Sequence, residues 1–112
     1  MTPLTDEQMR EALTETRAYT VVLLEAGPGY GTDEARPIVW EHGRRNFALR
    51  AEGVLSIVCP ILDDSPLCGV GIFPGTVHEV RTVMEGDPAV QAGVFTYRLH
   101  PTRSFPGDAL PG

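Results

Sequence analysis

Residues 54–80 read VLSIVCPILDDSPLCGVGIFPGTVHEV, and the order of signals inside this stretch decides the fold. Two apolar, β-branched runs flank Asp63-Asp64-Ser65-Pro66, whose residue types favour a turn. Residues 54–62 and 67–73 are therefore expected as consecutive strands, the first punctuated by Pro60 and the second thinned by Gly69 and Gly71. Pro74-Gly75 ends the second strand. Thr76 with Glu79 then forms a capping box, and Val77, Val80, Val83 and Met84 give the buried stripe of a helix running to about Glu85.

Outward from this strand–strand–helix centre, both flanks continue the pattern. On the N-terminal side the spacing predicts a helix over residues 34–52, with Gly53 as its terminating glycine. On its wheel Trp40, Phe47 and Ala51 share one face, while Ile38, His42 and Leu49 share nearly the opposite one. Two apolar faces predict a helix covered on both sides. Gly43 inside it costs about 1 kcal/mol relative to alanine and is read as a point of close backbone approach. Before this helix, Tyr19-Thr20-Val21-Val22-Leu23-Leu24 is a strand, broken by Gly27-Pro28-Gly29-Tyr30-Gly31. That glycine-rich turn has neither the third glycine at the required spacing nor a following Lys-Ser/Thr, so it is not a phosphate loop. Thr5 and Gln8 start an N-terminal helix over residues 5–16 with Met9, Ala12, Leu13 and Thr16 on one stripe.

On the C-terminal side, Asp87-Pro88 opens a short helical turn closed by Gly93. The alternation from Val94 to His100 then makes a last strand, with Phe95, Tyr97 and Leu99 on one face and Thr96, Arg98 and His100 on the other. Residues 102–112, rich in proline and glycine, are read as an extended arm whose Phe105 and Leu110 pack across a two-fold onto a partner. The order is thus βαββαβ behind an N-terminal helix: a single ferredoxin-like α+β domain with its core at about 18–101 and both core helices on one sheet face. The other face has no helix left to cover it, and pairing with a second copy through that face is the simplest closed solution.

Bulk properties narrow the function. The 112 residues suit one domain with a modest core, and 42% hydrophobic residues are ordinary for a folded protein. A net charge of −6 with no Lys/Arg run argues against a nucleic-acid partner. The N-terminus MTPLTDEQMREAL is polar and acidic, unlike a signal peptide, and no apolar stretch reaches the roughly 20 residues that span a bilayer; a cytoplasmic location is expected. Cys59 and Cys68 flank the turn and could face each other across the hairpin, but two thiols make no disulfide framework and carry no zinc spacing. Reduced, partly buried cysteines are the favoured reading.

Ala35-Arg36-Pro37, Glu41-His42, the step from there to Gly53, and above all Gly86-Asp87-Pro88-Ala89-Val90-Gln91-Ala92-Gly93-Val94-Phe95 resemble the YCII-related (YciI-like) family. The resemblance spans roughly residues 18–101. It implies a dimeric α+β barrel, in agreement with the order of elements, and an active site built from His42 and Asp87. It also implies proton chemistry on a small molecule, since chloromuconolactone dehalogenase-like proteins belong to that family. Where family members carry a glycine before the proline at the end of the second strand, this chain has Cys59, which could alter the pocket floor, add a thiol near His42 or equally be just a small buried side chain.

The residues support the same chemistry on physical grounds. An imidazole accepts and returns a proton near neutral pH, and a carboxylate on its other nitrogen fixes the tautomer and stabilises the imidazolium. Such a pair suits isomerisation, dehydration or elimination of halide from a small organic acid or lactone. Arg36 and Arg45, on the same helix as His42, are candidates to hold a substrate carboxylate, and His100 is a candidate to line the cleft between protomers. Each residue also has a plainer reading: Asp87 before Pro88 is a helix N-cap, and His42 and His100 are structural. No cofactor or metal is implied, because no haem, flavin or zinc motif is present. The alternative to an enzyme is a dimeric protein that binds a small molecule without turning it over.

Overall fold

The computed structural model describes residues 1–112. Four strands form one antiparallel sheet in the order β2-β3-β1-β4: β1 (Arg17–Ala26), β2 (Ile57–Pro60), β3 (Leu67–Phe73) and β4 (Phe95–Ser104). The helices are α1 (Asp6–Leu13), α2 (Ala35–Ala51), α3 (Val77–Glu85) and the single turn α4 (Pro88–Gln91). After α1 the order is βαβ, then β, helix and β, which is the ferredoxin-like α+β arrangement.

Register assigns every side chain to one of two faces. Val22 pairs with Gly71 and Leu99, and Leu24 with Gly69 and Tyr97. These rows lie under the helices, where Val22, Leu24, Phe73 and Phe95 join Leu55, Val80, Met84 and Ala89 in the core. The alternate rows, Ile57–Ile72–Val21–His100 and Cys59–Val70–Leu23–Arg98, lie on the open face. No helix covers Val21, Leu23, Val70 or Ile72, and they are only half-buried.

Several boundaries differ from expectation. The strand expected over residues 54–62 is limited to Ile57–Pro60, and it starts late because the amides of Val54 and Leu55 both bond the Leu49 carbonyl at the end of α2. That turn drops Leu55 into the core at 2% exposure instead of leaving it in the sheet. The last strand runs past His100 to Ser104, so residues 102–104 belong to the sheet and the arm begins at Phe105. Pro101 is tolerated because β4 is an edge strand and needs no outward N–H. The added length pairs Arg17, Ala18 and Tyr19 with Ser104, Arg103 and Thr102, and this extends β1 beyond Tyr19 as well.

The glycine-rich loop after β1 has a packing role. A Cβ on Gly27 would stand 2.5 Å from the Gly93 carbonyl oxygen, while the Gly27 amide bonds the Val94 carbonyl at 2.8 Å. Only glycine permits that approach between the end of β1 and the turn into β4.

Helix α2 departs from its expected surroundings. Its inner face, with His42, packs on the sheet, but Trp40 is 71% and Phe47 67% exposed. Within one chain the helix is covered on one side only. No atom comes within 4 Å of a Cβ built on Gly43, so no backbone approaches there.

Candidate active site

Asp87 sits where α3 ends and α4 begins, and its two oxygens have separate tasks. Oδ1 caps α4, accepting the amides of Ala89 at 2.8 Å and Val90 at 3.3 Å. Oδ2 faces α2 and lies 2.7 Å from Nδ1 of His42. The residue is 1% exposed and the His42 side chain 11%. Burial works to raise the Asp87 pKa, but the hydrogen bond and charge of His42, with the two amides, outweigh it and hold the carboxyl below its ordinary value.

An ionised Asp87 can only accept, so Nδ1 of His42 carries the shared proton. The amide nitrogen of Asn46, one turn further along α2, lies 3.3 Å from Nε2 and donates to it. His42 is thereby held as the tautomer whose Nε2 is a proton acceptor. The Phe95 ring fixes its plane from the sheet side, with centroids 4.9 Å apart at 58°.

Beside the pair, a cleft of about 310 Å³ opens between α2 and the sheet. Its floor is backbone and small side chains around Gly69 and Gly71, and its walls include Val22, Val58, Phe73 and Met84. Polar groups are few: His42, Asn46 and, toward the exposed end of α2, Arg50, whose guanidinium stands 5.5 Å from the Phe47 ring. An apolar cavity with a small number of converging polar groups is the common form of a small-molecule site.

The other candidate residues have different places. Arg45 does not face the cleft. Its Nη2 donates to the Val83 carbonyl at 2.7 Å, and its Nη1 stands 3.8 Å from Asp87 Oδ2, buried without a hydrogen-bond partner. Its guanidinium crosses Gly86, where a Cβ would approach Nη2 to 2.8 Å; the glycine before Asp87 makes room for it. Arg36 is largely exposed, 3.6 Å from Asp33, on the outer side of α2.

Cys59 is a correction, whereas His100 lies on the face where pairing with a second copy was expected. Both lie on rows of the open sheet face, one residue out of phase with Val58 and Leu99, so the sheet separates them from His42. Cys59 therefore brings no thiol to the cleft. Cys59 and Cys68 are both free, and Cys59 pairs with Val70 rather than with Cys68. Cys68, at the register shift of β1 and β3, lines the cleft instead, and burial raises its thiol pKa.

The residues not anticipated are Asn46 and Arg50. Both follow His42 at helical spacing, i+4 and i+8, and that spacing was the available signal.

No family model matches the chain, and no curated protein matches it significantly. Among solved structures, the 5-chloro-2-hydroxyhydroquinone dehydrochlorinase of Burkholderia phenoliruptrix AC1100, in complex with 2,5-dihydroxybenzoquinone, is similar with a TM-score of 0.52 and 15% identity. The likeness covers 75% of this chain and 91% of that one. At that identity it establishes the fold, a small ferredoxin-like α+β unit of the α+β-barrel type. No helix is long and apolar enough to cross a membrane.

Proposed function

We propose that this protein is a cofactor-independent acid–base enzyme of the YCII-related kind, acting on a small organic acid, lactone or enol in the cleft beside His42. The observation that carries the proposal is the buried 2.7 Å contact between His42 Nδ1 and Asp87 Oδ2, with Nε2 an acceptor at the edge of an apolar cavity, where a bound substrate takes the place of the Asn46 amide. His42 takes a proton from carbon or oxygen of the bound substrate, and Asp87 stabilises the imidazolium that results. The same proton, returned to a neighbouring atom, gives isomerisation. Loss of hydroxide or halide from that atom instead gives dehydration or dehalogenation. Arg50 at the cleft's exposed end replaces Arg36 and Arg45 as the group suited to a substrate carboxylate. The fold neighbour's own activity, a dehydrochlorination, supports this reaction class.

The working form is taken to be a homodimer joined through the open sheet face, which the half-buried Val21, Leu23, Val70 and Ile72 support. The two unpaired cysteines suit a reducing, cytoplasmic compartment.

The test is a panel of lactones, enols and halo-acids offered to the wild type and to His42→Ala. The expected result is turnover of at least one compound, reduced about 10²–10⁴-fold in the variant, with ligand affinity retained. A panel in which several compounds bind and none is turned over would refute the enzyme and leave a binding protein.

A further inference from the structure

Asn46 does more than the His42 tautomer requires. An ionised Asp87 already fixes the proton on Nδ1, because a carboxylate can only accept. The Asn46 amide adds a bond on the other ring nitrogen, at 3.3 Å, which is long for an N–H donor, whose usual distance is about 2.9–3.0 Å. Its nitrogen faces the ring, since Oδ1 there would oppose the lone pair of Nε2. A substrate that reaches the base displaces this weak bond, and the freed N–H then stands beside the reacting atoms.

The spacing fits one kind of reacting group. A carbon that gives its proton to Nε2 stands about 3–3.5 Å from it in a productive pose. The oxygen of an adjoining carbonyl is about 2.4 Å from that carbon, by ordinary bond lengths and angles. A hydrogen bond of about 2.9 Å from Asn46 to that oxygen closes a four-sided figure, whose last side is the 3.3 Å between Nε2 and Nδ2. Only the Asn46 side chain has to turn. His42 and Asn46 are one turn apart on α2, so the helix holds base and donor at fixed spacing. Arg50 starts two turns from His42, about 12 Å along the axis, and its guanidinium stands near the Phe47 ring. It suits a distant carboxylate; Asn46 is the donor beside the base. The apolar walls of the cleft strengthen a bond made there to a developing charge.

The geometry points to Asn46 as a second catalytic residue, the donor that receives the oxyanion formed when His42 removes a proton from the carbon next to a carbonyl. This rests on the acid–base reading of His42 and Asp87 and narrows its substrates to carbonyl compounds with an acidic α-hydrogen, such as lactones and keto acids. In the step, the Nε2 lone pair takes the α-proton. The C–H pair becomes a double bond to the carbonyl carbon, and the carbonyl π pair moves onto oxygen, where the Asn46 N–H meets it. Re-forming the carbonyl then pushes the electrons back along the chain. In a β,γ-unsaturated substrate the γ-carbon takes the proton back from Nε2, which is isomerisation. With a β-halide or β-hydroxide, that group leaves with its bonding pair; the proton on His42 goes to the hydroxide or, with halide, to solvent.

Asn46→Leu keeps the side-chain volume and removes the donor, and Asn46→Ala is the second variant; thermal midpoints verify that both fold. The first probe is 4-nitrophenol, a planar phenol small enough for the cleft of about 310 Å³, whose ionised oxygen imitates the enolate. Bound to wild type it should show the yellow of the phenolate at a pH where both variants bind it colourless, and about 10–100-fold more weakly. Equal colour and affinity in all three proteins, or no binding by wild type, would overturn the proposal. The second measurement uses each lactone or keto acid that wild type turns over. There Asn46→Leu should lower kcat by about 10²–10³-fold with little change in KM, because the oxygen gains its charge only in the transition state. An effect confined to KM, or wild-type turnover confined to compounds without a carbonyl, would overturn this inference alone. A wild type inert toward every compound is a different failure, that of the acid–base reading itself, and this inference falls with it.

Discussion

Asp87 uses one oxygen for the fold and the other for His42, and substitutions can separate the two. Asp87→Asn keeps an oxygen for the amides of Ala89 and Val90 but cannot stabilise an imidazolium, so turnover should fall while α4 stays capped. Asp87→Ala also removes the cap and should be less stable than Asp87→Asn by about 1 kcal/mol, read from urea midpoints. The pH dependence follows from the direction of the shift. The Asp87 carboxyl is held below its unfolded value, which is near 3.9, so the folded state binds fewer protons in acid than the unfolded chain. Its stabilisation is complete above about pH 4 and is lost as the pH falls through the lower folded value. Urea midpoints measured downward from pH 6 should therefore drop more steeply below about pH 4 in wild type than in Asp87→Asn. Parallel curves would show that the carboxylate is not held in this way.

Among the elements, the contact between the loop after β1 and the turn before β4 is the least forgiving. A methyl on Gly27 meets a carbonyl oxygen of the backbone, not a side chain that can turn away. Gly27→Ala should cost about 1–3 kcal/mol and lower the thermal midpoint, whereas Gly43→Ala meets open space and should match or exceed wild type. The order of these elements was legible in the sequence because each carried its own punctuation. The Thr76–Glu79 and Thr5–Gln8 capping boxes form as read, Pro88 stands first in α4, and Gly53 follows α2 at φ 77°. The boundaries that moved depended on partners distant in sequence. β1 and β4 lengthen because they pair with each other, and β2 shortens because the end of α2 claims Val54 and Leu55. The meeting of His42 with Asp87 came from resemblance rather than from spacing, since nothing local links groups 45 residues apart. Strand phase misled for Cys59: a one-residue offset decides the face, and Pro60 gave no hint of which offset applied.

For the whole molecule, the open sheet face is the feature with the widest effect. Val21, Leu23, Val70 and Ile72 form adjoining rows there with no cover from the chain itself. Leu23→Lys should leave the helix-side core untouched yet convert a dimer to monomer in sedimentation; an unchanged mass would remove the sheet-face pairing. Phe105 and Leu110, 39% and 72% exposed, extend beyond the sheet and suit contact with such a partner. The two borders of the sheet are different in kind from its face. β2 ends at Pro60 and β4 carries Pro101, so each border has a position without an N–H to offer a further strand. Both edges of the ribbon are thus interrupted at one position, which works against copies stacking side by side. For a protein with so small a core, that interruption disfavours the fibrous association that an unbroken edge would invite.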